Sequence, residues 1–303
     1  MVRRAPEAGG PARPSVSVCV VNWNTREHLR VCLNALGKDA PEAEVIVVDN
    51  ASTDGSAEMV EVEFPGVRLI RNARNVGYAA ANNQAMSQAR GDFFLLLNPD
   101  AYVLPGCMST LAKFLESTRD AGAAAPQLLN PGGSIQSSVR SFPTPGALLW
   151  DALGFARLFP RSRTFGAYRT TWWDHSDIRE VDQPMASALM LRRKALDQVG
   201  LMDESFPIFF NDVDLCHRLR QAGWKTWYVP EAKAIHHVAA STSQVRAEMI
   251  LESHRSLARF YAKHYRRSMP LLLYAPCLAF MAIAGRLRLL GHYLAGKKTA
   301  DSN

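Results

Sequence analysis

Two short apolar runs constrain the fold of this chain more than any other feature. Residues 45–49 have the sequence VIVVD and residues 92–98 have the sequence DFFLLLN, so almost every side chain in each run is apolar. A strand that faces water on one side alternates polar and apolar residues, whereas a strand covered on both faces is apolar throughout. Both runs are shorter than a typical buried helix. They therefore predict an α/β fold, with a mainly parallel (mixed) sheet flanked by helices.

The rest of the chain continues this alternation of strand and helix. Hydrophobic periodicity predicts further strands at residues 15–21, 67–71, 185–191 and 224–229, and helices at 26–36, 56–63, 78–89, 194–199, 211–222 and 244–266. The aromatic-rich residues 137–183 show neither the hydrophobic period of a helix nor that of a strand. Such a long irregular stretch predicts a partly helical insertion or lid, and simple packing over the sheet edge is an equally good interpretation.

Cysteine usage and the N-terminus indicate a cellular compartment. The five cysteines are scattered and no two form a C-x-x-C pair, which argues against a disulfide framework or a zinc site and suits a reducing cytoplasm. Residues 1–14 lack the apolar core of a signal peptide. We expect them to form a disordered tail.

The positive charge is concentrated near the C-terminus. Ten lysines or arginines and two glutamates between residues 246 and 298 give +8, so the rest of the chain carries −1 of the formal net charge of +7. A basic footprint over the whole surface is therefore absent from the sequence, and we expect no nucleic-acid partner.

Residues 268–285 have no charged side chain and lie between arginine pairs, Arg266 with Arg267 and Arg286 with Arg288. The segment is short for a bilayer span, and its two prolines disfavour a straight helix. We expect a pair of helices that lie at an anionic membrane surface. A helical cap packed on the domain and a homodimer contact are the alternatives.

Polar side chains follow the first two predicted strands. Asn22 and Asn24 follow the first strand, while Asp49 and Asn50 end the second and Asp54 lies in the turn beyond it. Open α/β sheets bind nucleotides at the carboxyl ends of their strands, so these residues are candidates for nucleotide binding. Alternatively, Asp49 only closes its strand. The first turn has no G-x-G-x-x-G pattern, which argues against a dinucleotide-dependent dehydrogenase.

Two further segments could contact phosphates or a metal ion. Gly77 permits close backbone approach before the third predicted helix, and Arg74 adds positive charge there. Asp100 follows the fourth predicted strand within the turn that begins at Asn98. A carboxylate at this position suits Mg²⁺ or Mn²⁺, which take other ligands from phosphates and water. Each segment alone is also compatible with an ordinary turn.

A last group of chemically active side chains comes from the C-terminal half. Asp212 and Asp214 begin a predicted helix, where acids often serve only as caps. His236 and His237 follow the last predicted strand, and a histidine there could bind a metal or have a structural role.

The order of these motifs resembles that of the family 2 glycosyltransferases of GT-A fold, in particular the bacterial rhamnosyltransferase-like branch. The resemblance covers residues 15–240 and rests on the segments VVNWN, VVDNASTDGS, NVGYAAANN, FLLLNPDA and ASALMLRRKALDQVGLMDESFPIFFNDVDLCHRLRQAGW, followed by the histidine pair. It implies a nucleotide-sugar-binding half at 15–105 and an acceptor and catalytic half at 106–240. Beyond it, the charge and the predicted helices indicate a basic helical extension at 241–303.

The resemblance also implies roles for the donor-side residues. Asn22 and Asp49 would contact the base and ribose, with Asp54 nearby, and Arg74 and Asn75 would line the diphosphate. The other residues expected on the donor side are Asn24, Asn50, Gly77 and Asn98.

The same resemblance implies the metal site and the base. Asp100 would hold the metal ion as the last acid of a D-x-D element whose first position is here Asn98. Asp212 would be the catalytic base with support from Asp214, although Asn211 replaces the glutamate of the family pattern. His236 would complete the metal site, with His237 as a substitute.

The implied activity is inverting transfer of a sugar from a nucleoside-diphosphate sugar to a hydroxyl of a cell-wall, polysaccharide or polyprenyl-diphosphate-linked glycan, with Mg²⁺ or Mn²⁺. The branch suggests rhamnose and leaves other sugars open. We expect a cytoplasmic enzyme, peripheral at the inner face of the plasma membrane. A non-catalytic nucleotide-sugar-binding or scaffold protein is the alternative, because two acids of the pattern are asparagines. A nucleotidyltransferase would need a glycine-rich loop after the first strand, and the sequence has none there.

Overall fold

A computed structural model of the protein describes residues 16–237 and 246–300. In chain order the first half contains β1 (Val16–Asn22), α1 (Arg26–Asp39), β2 (Glu44–Asp49), α2 (Ser56–Glu63), β3 (Arg68–Arg71), α3 (Tyr78–Gln88), β4 (Phe93–Leu97), β5 (Ala101–Val103), α4 (Cys107–Ser117) and β6 (Ala121–Leu129). The second half contains β7 (Val139–Arg140), α5 (Pro145–Ala152), α6 (Phe155–Leu158), β8 (Arg179–Val181), β9 (Gln183–Pro184), β10 (Ala188–Arg192), α7 (Arg193–Val199), α8 (Asn211–Gln221), β11 (Lys225–His236), α9 (Arg246–His264) and α10 (Leu271–Ala300). The expected tail at 1–14 lies outside the described residues.

Within the described residues, nine strands form one mixed sheet in the order β3-β2-β1-β4-β10-β6-β11-β5, with β8 also paired to β11. Strands β1 to β4 are parallel, whereas β10 runs antiparallel to both β4 and β6. The predicted α/β fold with a mixed sheet is therefore confirmed. The carboxyl ends of β1, β2 and β4 meet at one edge.

The central strands are covered on both faces because apolar side chains alternate between two cores. In β1, Val18 and Val20 belong to the core beneath α1, α2 and α4, while Cys19 and Val21 belong to the core shared with α3, α7 and α8. Each of these four residues is buried. The apolar sequence of these strands thus reflects helices packed on both sides.

Sequence periodicity missed α4, β5 and β6. Strand β6 has the sequence AGAAAPQLL, whose small side chains and proline give little strand signal, yet it pairs with both β10 and β11. The predicted strand at 224–229 extends in the structure to His236, because its register with β6 shifts between Val229 and Lys233 and pairing then resumes. This irregularity passes Pro230, which cannot donate a hydrogen bond to a neighbouring strand.

The expectation of a helix pair across 268–285 is wrong, since α10 is continuous from Leu271. The carbonyl of Pro270 accepts hydrogen bonds from the N–H groups of Leu273 and Tyr274, so this proline begins the helix. Pro276 lies inside α10 and removes only one backbone hydrogen bond near its start. One face of α10 packs on the domain, where Tyr274 and Met281 join the same core as α9.

A buried hydrogen bond fixes α9 to the aromatic-rich insertion. The Tyr261 hydroxyl donates to the Pro143 carbonyl at 2.7 Å. We expect Tyr261→Phe to lower the free energy of unfolding by about 1–3 kcal/mol, because the buried carbonyl loses its donor. Urea denaturation measures this loss. Unchanged stability would show that the bond contributes nothing to the packing of α9.

Candidate active site

A cleft of about 650 Å³ opens at the edge of the sheet where the parallel strands end. Six loop or helix-start segments form its wall, together with the end of β11 and the first turn of α9. The lining residues are Val21, Trp23, Asn50, Asn75, Val76, Gly77, Tyr78, Asn98, Pro99, Asp100, Met185, Ala186, Ser187, Pro207, Ile208, Phe209, Asn211, Asp212, His236, Glu248 and Met249.

The structure brings about half of the sequence-predicted site residues to this cleft. The predicted residues that line it are Asn50, Asn75, Gly77, Asn98, Asp100, Asp212 and His236. The predicted residues that lie outside its lining are Asn22, Asn24, Asp49, Asp54, Arg74 and Asp214. Sequence analysis did not select the residues from α9 or from the segment at 185–187.

Asp49 lies behind the cleft and holds a hydrogen-bond network together. Its carboxylate accepts from the Asn22 side-chain amide at 3.0 Å and from the Ser52 N–H at 2.9 Å. The same Asn22 amide also donates to the Ser52 hydroxyl at 3.0 Å. Both Asn22 and Asp49 are buried. This network joins the ends of β1 and β2, and it presents the next residue, Asn50, to the cleft.

Asp54 and Asn24 order the adjoining loops. Asp54 accepts from the Arg26 N–H at 2.8 Å and from the Ser56 N–H at 3.0 Å, so one carboxylate caps the starts of both α1 and α2. Asn24 has a φ of 52° and accepts from the Thr53 N–H at 2.8 Å. These contacts account for the polar turn residues that the sequence shows after β1 and β2.

Gly77 lies where two walls of the cleft meet. Its φ is 90°, and a Cβ built on it would lie 3.0 Å from the Pro207 carbonyl oxygen. That carbonyl accepts a hydrogen bond from the Tyr78 N–H at 2.6 Å, while the Gly77 carbonyl accepts one from the Asn50 side chain at 3.3 Å. A side chain at this position would push the loop at 75–77 away from the segment at 207–209.

Asp100 and His236 face each other at the floor of the cleft. The Nε2 atom of His236 lies 3.5 Å from a carboxylate oxygen of Asp100. The Nδ1 atom lies 2.7 Å from the Gln136 Oε1 atom, and the Gln136 amide nitrogen donates to the carbonyl of His236. Because Gln136 presents an oxygen to Nδ1, this nitrogen carries a hydrogen, and in the neutral imidazole Nε2 presents a lone pair toward Asp100.

This pair of groups fits a divalent cation. A carboxylate oxygen suits Mn²⁺ or Mg²⁺, and an imidazole nitrogen 3.5 Å from it can join the ligands of a transition-metal ion such as Mn²⁺. Among the described residues no group of three or more histidine, cysteine, aspartate or glutamate side chains comes together, so the protein would supply few ligands. Substrate phosphates and water are the usual remaining ligands of such ions.

His237, the alternative metal ligand, contacts other residues. Its ring packs against His28 and Tyr102, with ring centroids 5.2 Å apart in each case. Only its backbone approaches the site, where its N–H donates to the Asp100 carbonyl at 2.9 Å. The geometry thus favours His236 over His237 as the side chain that meets a metal ion.

Asp212 begins α8 and lines the opposite part of the cleft. Burial raises the pKa of the Asp212 carboxyl, although the N–H groups of Ala186 and Val213 donate hydrogen bonds that act in the other direction. A carboxylate whose pKa is raised is a better proton acceptor than an ordinary aspartate. Its environment therefore suits a general base.

The hydrogen bonds of the neighbouring Asn211 explain why an asparagine suits this position. Its side-chain amide donates to the carbonyls of Ile208 at 2.7 Å and Phe206 at 3.3 Å. A glutamate carboxylate has no hydrogen to donate to these carbonyls. Asn211 thus closes the turn before α8, where Phe210 has a φ of 67°. Although an asparagine replaces the glutamate of the family pattern here, Asp212 still lines the cleft.

Asp214 contacts α9 instead of the cleft. Its buried carboxylate lies 2.7 Å from each of Arg218, Lys263 and His264. Burial alone would raise the pKa of Asp214, but the hydrogen bonds from His264 and Lys263 and the charge of Arg218 outweigh it and lower the pKa to about 2. The predicted support of Asp212 by Asp214 stays a prediction, and its visible contacts join α8 to α9.

Helix α9 reaches the cleft at its other end. Glu248 and Met249, in its first turn, line the cleft. Near its last turn, Lys263 pairs with Asp203 at 2.6 Å and lies over the ring of Phe206, just before the wall segment at 207–209. No local sequence pattern indicates this placement, because it depends on packing between distant parts of the chain.

The fold and the cleft agree with comparisons to known proteins. Residues 17–175 match the sequence model of glycosyl transferase family 2. The N-acetylglucosaminyl-diphospho-decaprenol L-rhamnosyltransferase of Mycobacterium tuberculosis is 32% identical over 260 residues, which cover 82% of this chain and 84% of that protein. The protein therefore belongs to glycosyltransferase family 2, as the sequence motifs predicted.

Two further relatives extend this comparison. The rhamnosyltransferase WbbL of Escherichia coli K12 is 26% identical over 232 residues, covering 73% of this chain and 83% of WbbL. The structure of the mannosyltransferase PcManGT from Pyrobaculum calidifontis, in complex with GDP-Man and Mn²⁺, superimposes with a TM-score of 0.58 at 18% identity, covering 96% of this chain and 76% of PcManGT. The GT-A-type fold is thereby confirmed.

The ion cluster of Asp214 generates a prediction about stability. We expect Asp214→Asn to lower the free energy of unfolding by about 2–3 kcal/mol at neutral pH, because the buried position loses the negative charge that Arg218, Lys263 and His264 stabilise. A carboxylate whose folded pKa is depressed stabilises the protein above its unfolded pKa, near 4, and that stabilisation is lost as the pH falls toward about 2.

Urea denaturation of the wild type and of Asp214→Asn at pH 7 and at about pH 3 measures this effect. The difference between the two proteins should shrink at the lower pH. Asp197→Asn, a change at an exposed position of α7, is the control and should leave stability unchanged at both pH values. An equal difference at the two pH values would contradict the assignment of the effect to the carboxylate charge.

Proposed function

We propose that this protein transfers a sugar, with inversion at the anomeric carbon, from a nucleoside-diphosphate sugar to a hydroxyl of a lipid-linked glycan. The observation that carries this proposal is the convergence of Asp100, Asp212 and His236 on one cleft. The rhamnosyltransferase relative from Mycobacterium tuberculosis, whose name specifies N-acetylglucosaminyl-diphospho-decaprenol, supports rhamnose as the sugar and a polyprenyl diphosphate on the acceptor.

The donor would bind along the ends of β1, β2 and β4. Asn50, Asn75 and Gly77 line this side of the cleft, and the buried Asn22–Asp49 network fixes the loop that presents Asn50. Asn98 donates to the Ser187 hydroxyl at 3.4 Å, which ties the turn after β4 to the residues before β10. Arg74 is exposed beside Asn75, where its charge would favour a diphosphate.

Asp100 and His236 would hold Mg²⁺ or Mn²⁺ against the donor diphosphate. When bound, the ion would neutralise negative charge that develops on the leaving nucleoside diphosphate. His236 is already oriented for this role by Gln136, since the hydrogen bond at Nδ1 fixes the ring. The PcManGT complex, which contains GDP-Man and Mn²⁺, supports the same class of donor and ion.

Asp212 would remove the proton from the acceptor hydroxyl as that oxygen attacks the anomeric carbon. The carbon–oxygen bond to the diphosphate breaks on the opposite face, so a single displacement inverts the centre. Partial burial raises the pKa of the Asp212 carboxyl, which makes it a better proton acceptor. The α9 residues Glu248 and Met249 would line the acceptor side.

We expect Asp212→Asn to reduce sugar transfer by about 10²–10⁴-fold, because general-base assistance is lost while the shape of the cleft is kept. Donor binding should remain, since the side chain does not hold the metal ion in this proposal. Transfer from radiolabelled dTDP-rhamnose to a polyprenyl-diphosphate acceptor measures the rate, and calorimetry measures donor binding.

Asp197→Asn serves as the control for this prediction and should keep full transfer. Wild-type turnover in Asp212→Asn would exclude Asp212 as the base. A wild-type protein that binds the donor but transfers no sugar to any glycan acceptor would instead support the non-catalytic alternative.

The histidine pair provides a matched test of the metal site. We expect His236→Asn to raise the Mn²⁺ concentration needed for half-maximal activity by at least about tenfold, as typical for loss of a ligand or its support. His237→Asn should change it little, because that ring packs against His28 and Tyr102 outside the cleft. Titration of activity with Mn²⁺ after chelation distinguishes the two variants, and the reverse order would assign the ligand to His237.

We also propose a cytoplasmic location at the inner face of the plasma membrane. All five cysteines are free thiols, four of them buried, which suits a reducing compartment. A polyprenyl-diphosphate acceptor would present its reacting sugar at the membrane surface. The position of the C-terminal helices bears directly on this location.

A further inference from the structure

Helix α10 exposes a continuous apolar stripe. We define the stripe as Leu272, Pro276, Phe280, Ile283 and Leu287, whose spacing of four, four, three and four residues places them on one helix face. Leu272 is 88% exposed, Ile283 55% and Leu287 62%. Leu271 and Leu273 are also exposed at the start of the helix. An exposed apolar face of this length indicates an interaction surface, which a membrane or another protein covers.

The opposite face of α10 belongs to the folded domain. Tyr274 and Met281 are buried in the core shared with α9, and a Cβ at Gly285 would lie 3.0 Å from the His254 ring. Residues Leu271–Leu289 are long and apolar enough to cross a membrane by length and composition. A crossing helix could not keep this face on a water-soluble α/β core. The packing therefore favours a helix that lies in the plane of the membrane surface.

The charges around the stripe match an anionic surface. Arg266 and Arg267 precede α10, Arg286 and Arg288 lie on its exposed part, and residues 268–300 contain no acidic side chain. Headgroups of anionic lipids attract such basic residues when the apolar face enters the interface. Two copies of the chain paired through the stripe would bring these arginines together in either orientation. Like-charge repulsion therefore argues against a second copy as the partner.

We infer that the apolar stripe of α10 and its flanking arginines form a docking surface for the anionic lipid bilayer. The inference deepens the proposed function, on which its biological meaning rests, because a lipid-linked acceptor would be met at that surface. The stripe is the contact, and the arginines supply the preference for anionic lipid.

The docked helix would also bring the cleft close to the membrane. Helix α10 runs back along α9, since only the short segment 265–270 joins the end of α9 to the start of α10 and Gly285 lies against His254. Moving along α10 in this direction leads toward the first turn of α9, where Glu248 and Met249 line the cleft. Membrane contact through the stripe would thus hold the acceptor side of the cleft near the lipid surface.

Vesicle flotation of the full chain tests the inference. We expect the wild type to bind vesicles of phosphatidylcholine with about one third phosphatidylglycerol, and to bind pure phosphatidylcholine vesicles much less. The double variant Leu272→Glu/Ile283→Glu should lose at least about tenfold in binding to the anionic vesicles, because it places charge in the apolar interface. Arg286→Gln/Arg288→Gln should reduce the preference for anionic lipid.

The matched control is Val31→Glu/Val62→Glu, which changes two exposed valines on α1 and α2, on the other side of the sheet. It should bind vesicles like the wild type. Equal binding by the stripe variant and the wild type, or no binding by the wild type, would overturn the inference. Light scattering gives a further outcome that would overturn the inference. In that outcome the wild type is a dimer, the stripe variant is a monomer, and vesicles have no effect on either protein.

Activity on a short water-soluble acceptor distinguishes this inference from the proposed function. The stripe variant should retain transfer to the soluble acceptor and lose transfer to the polyprenyl-linked acceptor in vesicles. Loss of vesicle binding without loss of either transfer would remove the functional meaning of the surface. If the wild type binds vesicles but transfers sugar to neither acceptor, the proposed function fails while the docking surface stands.

Discussion

The ion cluster around Asp214 is the interaction on which the arrangement of the C-terminal half depends. One buried carboxylate lies 2.7 Å from each of Arg218, Lys263 and His264, and so joins α8 to α9. Helix α8 carries Asp212 into the cleft, and α9 contributes the cleft wall at its first turn. Because α10 packs on α9, this cluster, together with the Tyr261–Pro143 hydrogen bond, also fixes the exposed apolar stripe relative to the site.

Two carboxylates two residues apart thus have opposite environments. Asp212 is partly buried, accepts hydrogen bonds from backbone N–H groups and has its pKa raised by burial, whereas Asp214 is surrounded by cationic side chains and its pKa is lowered. The first environment favours proton acceptance and the second favours a permanent charge. The same helix turn therefore carries one acid suited to the proposed chemical role and one suited to a structural role, and the sequence pattern NDVDL does not distinguish them.

Sequence predicted the sheet and the location of the cleft because both depend on local signals. Apolar runs specify buried strands such as β4, and polar residues after them mark the edge where ligands bind. It could not predict β6, whose alanines carry little strand signal, or α9 as a cleft wall, which depends on distant packing. The sequence also does not show which way a side chain points at the end of a strand. The structure shows that Asp49 lies behind the cleft while Asn50 lines it, and only the structure distinguishes His236 from His237.

The most direct test of this account is a crystal structure with a nucleoside-diphosphate sugar and Mn²⁺. The account predicts electron density for the ion between the diphosphate, Asp100 and His236, with ion-to-ligand distances of about 2.0–2.3 Å, and the anomeric carbon facing Asp212 across the space left for an acceptor. An ion bound elsewhere, or a donor whose anomeric carbon lies on the side away from Asp212, would contradict it.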